Sequence, residues 1–209
     1  MSINKIFEIG VMKTGTSSLG EALKILGYKT MKWHSIAYDK FIESGRADYQ
    51  SLFDIIDQYD AFEDGPWHDC DFRKLDKHYP NSKFIMLERD DESWIRSMEL
   101  HSSPAHNVNK ISKKYLQDEW AHDRLNTINK NLKWKKEKYR KVREFFKNRP
   151  QDLLVMNICS GEGWEKLCPF LNRKVLNRPF PKNNVSAVIM LHSRRARRAR
   201  KVISSRFPC

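Results

Sequence analysis

The residues in this chain best suited to chemistry lie near its start, in Gly10-Val-Met-Lys13-Thr14-Gly15-Thr16-Ser17-Ser18. Two glycines let a backbone fold closely around a bound group, and successive N–H groups in such a loop form a nest for anionic oxygens. Lys13 adds a mobile cation, and Thr16, Ser17 and Ser18 add hydroxyl donors. The chemistry implied is the holding of a phosphate. The segment departs from G-x-x-x-x-G-K-[ST], in which lysine follows the second glycine and reaches the terminal phosphates of a nucleoside triphosphate. Here the glycine spacing is kept, Thr16 takes the lysine position, and the lysine stands at 13. A small-molecule kinase would therefore lack its main contact to the γ-phosphate.

A loop of this kind works only where a strand feeds it and a helix leaves it, because the helix start aims free N–H groups at the anion. Lys5–Gly10 reads as a short buried strand, and Ser17–Leu26 as a helix with Leu19, Ala22, Leu23 and Leu26 on one face and Gly27 stopping it. Further strands are expected at Tyr28–Trp33, Tyr59–Glu63, Lys83–Glu88 and Asp152–Asn157. Helices are expected around Leu52–Tyr59 and over Phe72–Tyr79, Asp91–Leu100 (with Asp90 or Asp91 as N-cap) and Gly163–Leu171. Strands alternating with helices imply βαβ units, an α/β fold with a parallel sheet. Ser112–Lys147 is polar and Lys-rich with apolar residues every three to five positions, which predicts one long helix or a helix pair at the edge of the core.

The loop resembles the 5′-phosphosulfate loop of sulfotransferases that use 3′-phosphoadenosine-5′-phosphosulfate (PAPS), roughly Lys-[Ser/Thr]-Gly-Thr-[Thr/Ser]-x-Leu after the first strand; here it reads Lys13-Thr-Gly-Thr-Ser-Ser-Leu19. A second likeness lies in Gly161-Glu-Gly-Trp-Glu-Lys-Leu-Cys-Pro-Phe-Leu171 and Asn177-Arg-Pro-Phe-Pro-Lys-Asn-Asn184, similar to the carboxyl-terminal signature of a small bacterial-type group of the family. The resemblance spans about residues 3–185. It implies a P-loop-like three-layer α/β sandwich and leaves unexplained the helical segment at about 109–148, read as an insertion in one domain over 1–190, and the basic tail at 191–209.

It also implies roles. Lys13, Thr14, Gly15, Thr16, Ser17 and Ser18 would hold the 5′ side of the donor, with Lys13 neutralising charge on the leaving phosphate, so that no metal is needed. The family holds the 3′-phosphate with an arginine at a strand end and a serine eight residues on. Arg89 and Ser97 occupy those places, Arg89 able to fork onto a phosphate. Lys182 is a further cation where the Phe180-Pro segment closes over the nucleotide. The product would be adenosine 3′,5′-bisphosphate (PAP).

Transfer to a hydroxyl or amine needs a base near the acceptor. The family takes a histidine or a carboxylate, commonly after a middle strand. Asp64 or Glu63 in Ala61-Phe-Glu-Asp-Gly-Pro-Trp-His68 fits, as does His34 after the second strand, while His68 and His101 can line the mouth. Plainer uses stay open: Asp64 closing a turn before Gly65-Pro66, His34 capping the next helix, and Trp33, Trp67 and Trp94 packing in the core.

With 39 Lys and Arg against 26 Asp and Glu, the net charge is +13, much of it in 130–149 and 194–201. Such runs suit an anionic acceptor such as a glycan, or are solvated faces. No signature of DNA or RNA recognition accompanies them, so a nucleic-acid partner is disfavoured. Six Trp, seven Tyr and eleven Phe suffice for a core. With no spanning apolar run, no export signal and four scattered cysteines, a cytoplasmic enzyme is expected. No pattern specifies an oligomeric state.

Overall fold

A computed structural model describes residues 4–102 and 124–183. Five strands, β1 (Ile6–Glu8), β2 (Thr30–Met31), β3 (Ala61–Phe62), β4 (Lys83–Leu87) and β5 (Leu153–Met156), form one sheet in the order β2-β3-β1-β4-β5. Every pairing is parallel, with Ile6 opposite Ala61 on one side and Lys83 on the other. The helices are α1 (Thr16–Ile25), α2 (Ser35–Glu43), α3 (Gln50–Ile56), α4 (Phe72–His78), α5 (Asp91–Ser102), α6 (Arg124–Phe146) and α7 (Trp164–Phe170). The sheet is the expected α/β architecture. Residues 103–123 and 184–209 lie outside the described structure, and with them His101's neighbours in the insertion and the basic tail at 191–209.

Alternation along each strand divides the core in two. Phe7, Phe62, Phe84 and Met86 face a cluster completed by Ala37, Phe41, Leu52, Leu75, Trp94, Tyr139 and Phe146 from α2 to α6. Ile6, Ala61, Ile85 and Leu87 face Leu19, Leu23, Trp164 and Leu167 from α1 and α7. Helices thus cover both faces, giving three layers. Trp67 and Trp94 are fully buried core residues, while Trp33 keeps 37% of its surface exposed. The described part of the Lys-rich region is a single helix, α6, locked to the sheet where Tyr139 Oη donates to Leu87 O at 2.6 Å. Among the described residues, no helix is long and apolar enough to cross a membrane.

Three neighbouring strands, β3, β1 and β4, end side by side, and the chain reverses its winding direction at β1. Ligands of open parallel sheets bind at the carboxyl ends of strands at such a point. The Gly10–Ser18 loop leaves β1, Glu63 and Asp64 leave β3, and Arg89 leaves β4. Strand order alone therefore gathers most of the residues singled out above.

Candidate functional site

The loop is held open from outside. Val11 O accepts from Thr14 Oγ1 at 2.7 Å, Met12 O from Trp94 Nε1 at 2.9 Å, Lys13 O from Arg89 Nη1 at 3.0 Å, and Thr14 O from Cys159 Sγ at 3.6 Å. Four successive carbonyls are thereby turned outward. Among the described residues no acceptor is recorded for the N–H groups of Lys13, Thr14, Gly15 and Thr16, which leaves them for an anion. The turn needs left-handed backbone at Lys13 (φ 66°) and Gly15 (φ 108°). At Gly15 a side chain would also press on Ile158, whose Cβ lies 3.3 Å from an added Cβ. Burial lowers the Lys13 ammonium below the usual lysine range, Asp64 pulls it back up, and Arg89 pushes it down. The lysine therefore stands electrostatically between the carboxylate and the guanidinium.

Arg89 is anchored by Ser93, whose Oγ accepts from Nε at 2.9 Å, and by the Lys13 carbonyl. Within the described residues that uses two of its five N–H donors and leaves a fork available. Its own carbonyl accepts from Lys135 Nζ at 2.7 Å, and the same ammonium reaches Asp91 Oδ1 at 2.8 Å. Lys135 is only 2% exposed, so α6 fixes the backbone that carries the arginine. Asp90 caps α5, its Oδ1 accepting from Ser93 N at 2.8 Å. Ser97 lies half-buried one turn beyond Ser93, on the same helix face. Arg96 pairs with Glu92 at 3.2 Å on the surface, away from this role.

Over the start of α1 runs the segment ending at Asn183. Asn183 N donates to Ser18 Oγ at 3.0 Å, and Ser18 N donates to Gly15 O at 2.9 Å. Both polar groups of Ser18 are thus engaged inside the protein, so Ser18 ties this strap instead of offering a donor to a ligand. Lys182 sits on the strap, exposed. Phe180 anchors it against Trp164, ring centroids 4.8 Å apart, and packs so tightly on Gly163 that an added Cβ would meet it at 3.0 Å.

Beside the loop opens a cleft of about 320 Å³ lined by Ser17, Lys32, Trp33, Glu63, Asp64 and Asn183. Glu63 is 1% exposed, and its Oε2 has no hydrogen-bond partner among the described residues. Burial, reinforced by the neighbouring Asp64 charge, pushes its carboxyl up to about 7. Asp64 is a third exposed on its side chain, has φ 71°, and accepts from Gly65 N at 3.0 Å. His34 is not part of the cleft lining; it caps α2, its Nδ1 accepting from Ala37 N at 3.1 Å. That bond assigns the ring proton to Nε2, so the neutral imidazole has no lone pair left to take a proton.

Beneath the site lie two ionic groups that sequence reasoning missed, Glu8 and Lys138, and His68, which it placed at the mouth. Glu8 is fully buried, its Oε1 accepting from Gly10 N at 2.8 Å at the loop entrance. Burial pushes it up to about 8 against the pull of Lys138. Lys138 reaches in from α6 to donate to the His68 carbonyl, and burial lowers its ammonium. His68 itself is 1% exposed. An alternating strand pattern signals Glu8 only as an inward position, and lysines on a polar helix look solvated, so neither stands out before the layers are assembled.

Residues 5–189 match the family model described as "Sulfotransferase domain". The chain is also similar to "Ava biosynthesis cluster protein M" of Aspergillus versicolor, at 28% identity over 85% of this chain and 79% of that protein.

Proposed function

The chain belongs to the sulfotransferase-domain family, and from that premise we propose that it transfers a sulfuryl group from PAPS to a hydroxyl (or amine) of a small-molecule acceptor. The observation that carries the reading is the loop whose four engaged carbonyls leave its amides without a recorded acceptor among the described residues, with Arg89 pinned to the same loop. A nest of amides suits the 5′-phosphate end of the donor, and the free fork of Arg89, with Ser97 one turn beyond Ser93, suits the 3′-phosphate. Lys13 is the cation that would neutralise the leaving phosphate. Thr14 acts through its backbone, since its hydroxyl closes the turn, and Thr16 and Ser17 stand at the helix start. Lys182 would approach from the strap. The likeness to a protein named for a biosynthesis cluster supports a small acceptor over a polymeric glycan.

Asp64 is the base of this reading. Both it and Glu63 line the cleft, but a third of the Asp64 side chain is exposed against 1% of Glu63, and His34 is committed to a helix cap. The kinase alternative is opposed by Thr16 at the position a lysine should fill.

Titration calorimetry with PAP tests the donor site. Wild-type protein should bind, and Arg89→Ala should weaken binding about 30-fold, a loss of about 2 kcal/mol typical of a charge-assisted bond. Folded protein that ignores PAP, an unchanged affinity in Arg89→Ala, or tighter binding of magnesium-ATP would refute the assignment.

A further inference from the structure

Behind Asp64, out of reach of any ligand in the cleft, stands His68. It is 1% exposed, and its buried Nδ1 has no hydrogen-bond partner among the described residues. Buried polar side-chain atoms are nearly always paired, so this orphan needs a reason. Asp64 Oδ1 lies 3.7 Å from it, too far for a hydrogen bond. On the ring's other side Nε2 lies 3.4 Å from Asp69 Oδ2. The backbone fixes the arrangement: His68 N donates to Asp64 O at 3.2 Å, and Lys138 from α6 donates to His68 O. The charged groups facing the ring and its backbone are therefore Asp64 and Asp69 from its own loop and Lys138, with Glu8 behind Lys138.

Of the two carboxylates Asp69 lies nearer its ring nitrogen, 3.4 Å against 3.7 Å, so its charge favours the tautomer with the proton on Nε2. Nδ1 then presents a lone pair to the Asp64 carboxylate, and two acceptors face each other with no proton between them. They bind each other only after a proton has arrived. We propose that His68 is a positioning residue for the proton released by the acceptor: it accepts that proton from Asp64 and holds it between the Asp64 and Asp69 carboxylates. The proposal rests on the reading of Asp64 as base.

The step balances as follows. The acceptor oxygen forms a bond to sulfur while the bond from sulfur to the phosphate oxygen breaks, its electron pair leaving on the phosphate. The hydroxyl proton passes to Asp64 and from Asp64 to His68 Nδ1. Nothing is oxidised or reduced. The imidazolium so formed lies between two carboxylates, an arrangement matched to the state after proton transfer instead of the resting state. Asp69, 13% exposed on its side chain, is the way back to solvent.

Two acceptors of different acidity separate this role from mere packing, because an acidic phenol needs little help in losing its proton. With PAPS saturating, His68→Gln should lower kcat about 30-fold or more for 2-phenylethanol and by less than about threefold for 4-nitrophenol. KM for PAPS and affinity for PAP should stay within about twofold, since the ring touches neither. Equal losses with both acceptors, or a loss confined to KM, would overturn the relay. Should His68→Gln fail to fold, Asp69→Asn must show the same acidity-dependent loss, and its absence overturns the proposal equally. Long-range ¹H–¹⁵N spectra of the wild-type protein at pH 7 add a test that needs no acceptor. The proton is expected on Nε2 alone, and one on Nδ1 at rest refutes the tautomer. Wild-type protein that binds PAP but transfers to neither alcohol nor phenol refutes the enzymatic reading, and the relay with it. Turnover without the acidity-dependent loss refutes the relay alone.

Discussion

Replacing Glu63 by Gln should make the protein more stable, increasingly so as pH rises. The side chain leaves the end of β3 and is wedged against α1, where Gly20 makes room for it: a Cβ at 20 would lie 2.8 Å from Glu63 Cγ and Oε1. Among the described residues nothing donates to Oε2. Burial, with the Asp64 charge, raises the carboxyl from its ordinary 4.5 to about 7. Between those two values the folded protein binds a proton that the unfolded chain has released, so stability falls as pH rises through this window and is level above it. At about 1.4 kcal/mol per pH interval of displacement, the penalty at pH 8 is at most about 3 kcal/mol, and at pH 5 below about 1 kcal/mol. Glutamine has the same shape and no charge to bury. Glu8, pushed up to about 8 chiefly by burial, is present in both proteins; the Glu63 charge is the smallest of the causes that raise it, so losing that charge acts in the same direction. Urea unfolding measures the difference. With a slope of about 2–3 kcal/mol per molar urea, Glu63→Gln should unfold about 1 M later than wild type at pH 8, with a much smaller gap at pH 5. A gap that is constant across this range, or that widens toward acid, would refute the account of Glu63 as a carboxylate charged against its surroundings.

Two further substitutions probe the donor side. Gly15→Ala places a side chain at φ 108° and 3.3 Å from Ile158 Cβ, so it should cost about 1–2 kcal/mol in urea unfolding and weaken PAP binding; unchanged values in both would show that the loop does not need this geometry. Lys135→Met removes the ammonium that holds the Arg89 carbonyl and Asp91 Oδ1, and should lower both stability, by about 1–3 kcal/mol, and PAP affinity. Loss of stability with full PAP affinity would separate α6 from the donor site.

The loop and the strand that feeds it were legible because apolar residues end abruptly at Gly10 and helical spacing resumes at Leu19, an unambiguous change of period. The five strands were found for the same reason, although β2 and β3 pair over only two residues each. Helix α2 was given a cap in His34 but no range, since Ile36 breaks the apolar pattern by lying 65% exposed. Within the site, position along the chain identified Arg89 but not Ser93 as its anchor. It also pointed to Ser18 as a ligand contact, because a hydroxyl at a helix start reads the same whether it faces a phosphate or a strap residue 165 positions away. The relay from Asp64 through His68 to Asp69 was invisible for a related reason. Its residues are neighbours in sequence, but only the buried turn Trp67–Asp69 points the imidazole inward between two carboxylates.

The four outward carbonyls of the loop also bear on how a ligand arrives. Each is restrained by a separate side chain, from the loop itself, from β4's end, from α5 and from the turn after β5, so the amide nest has its shape before anything occupies it. Ordering a comparable flexible segment on association would cost about 1–2 kcal/mol of backbone entropy per residue. Here that ordering accompanies folding, so an anion entering the nest should meet little conformational delay.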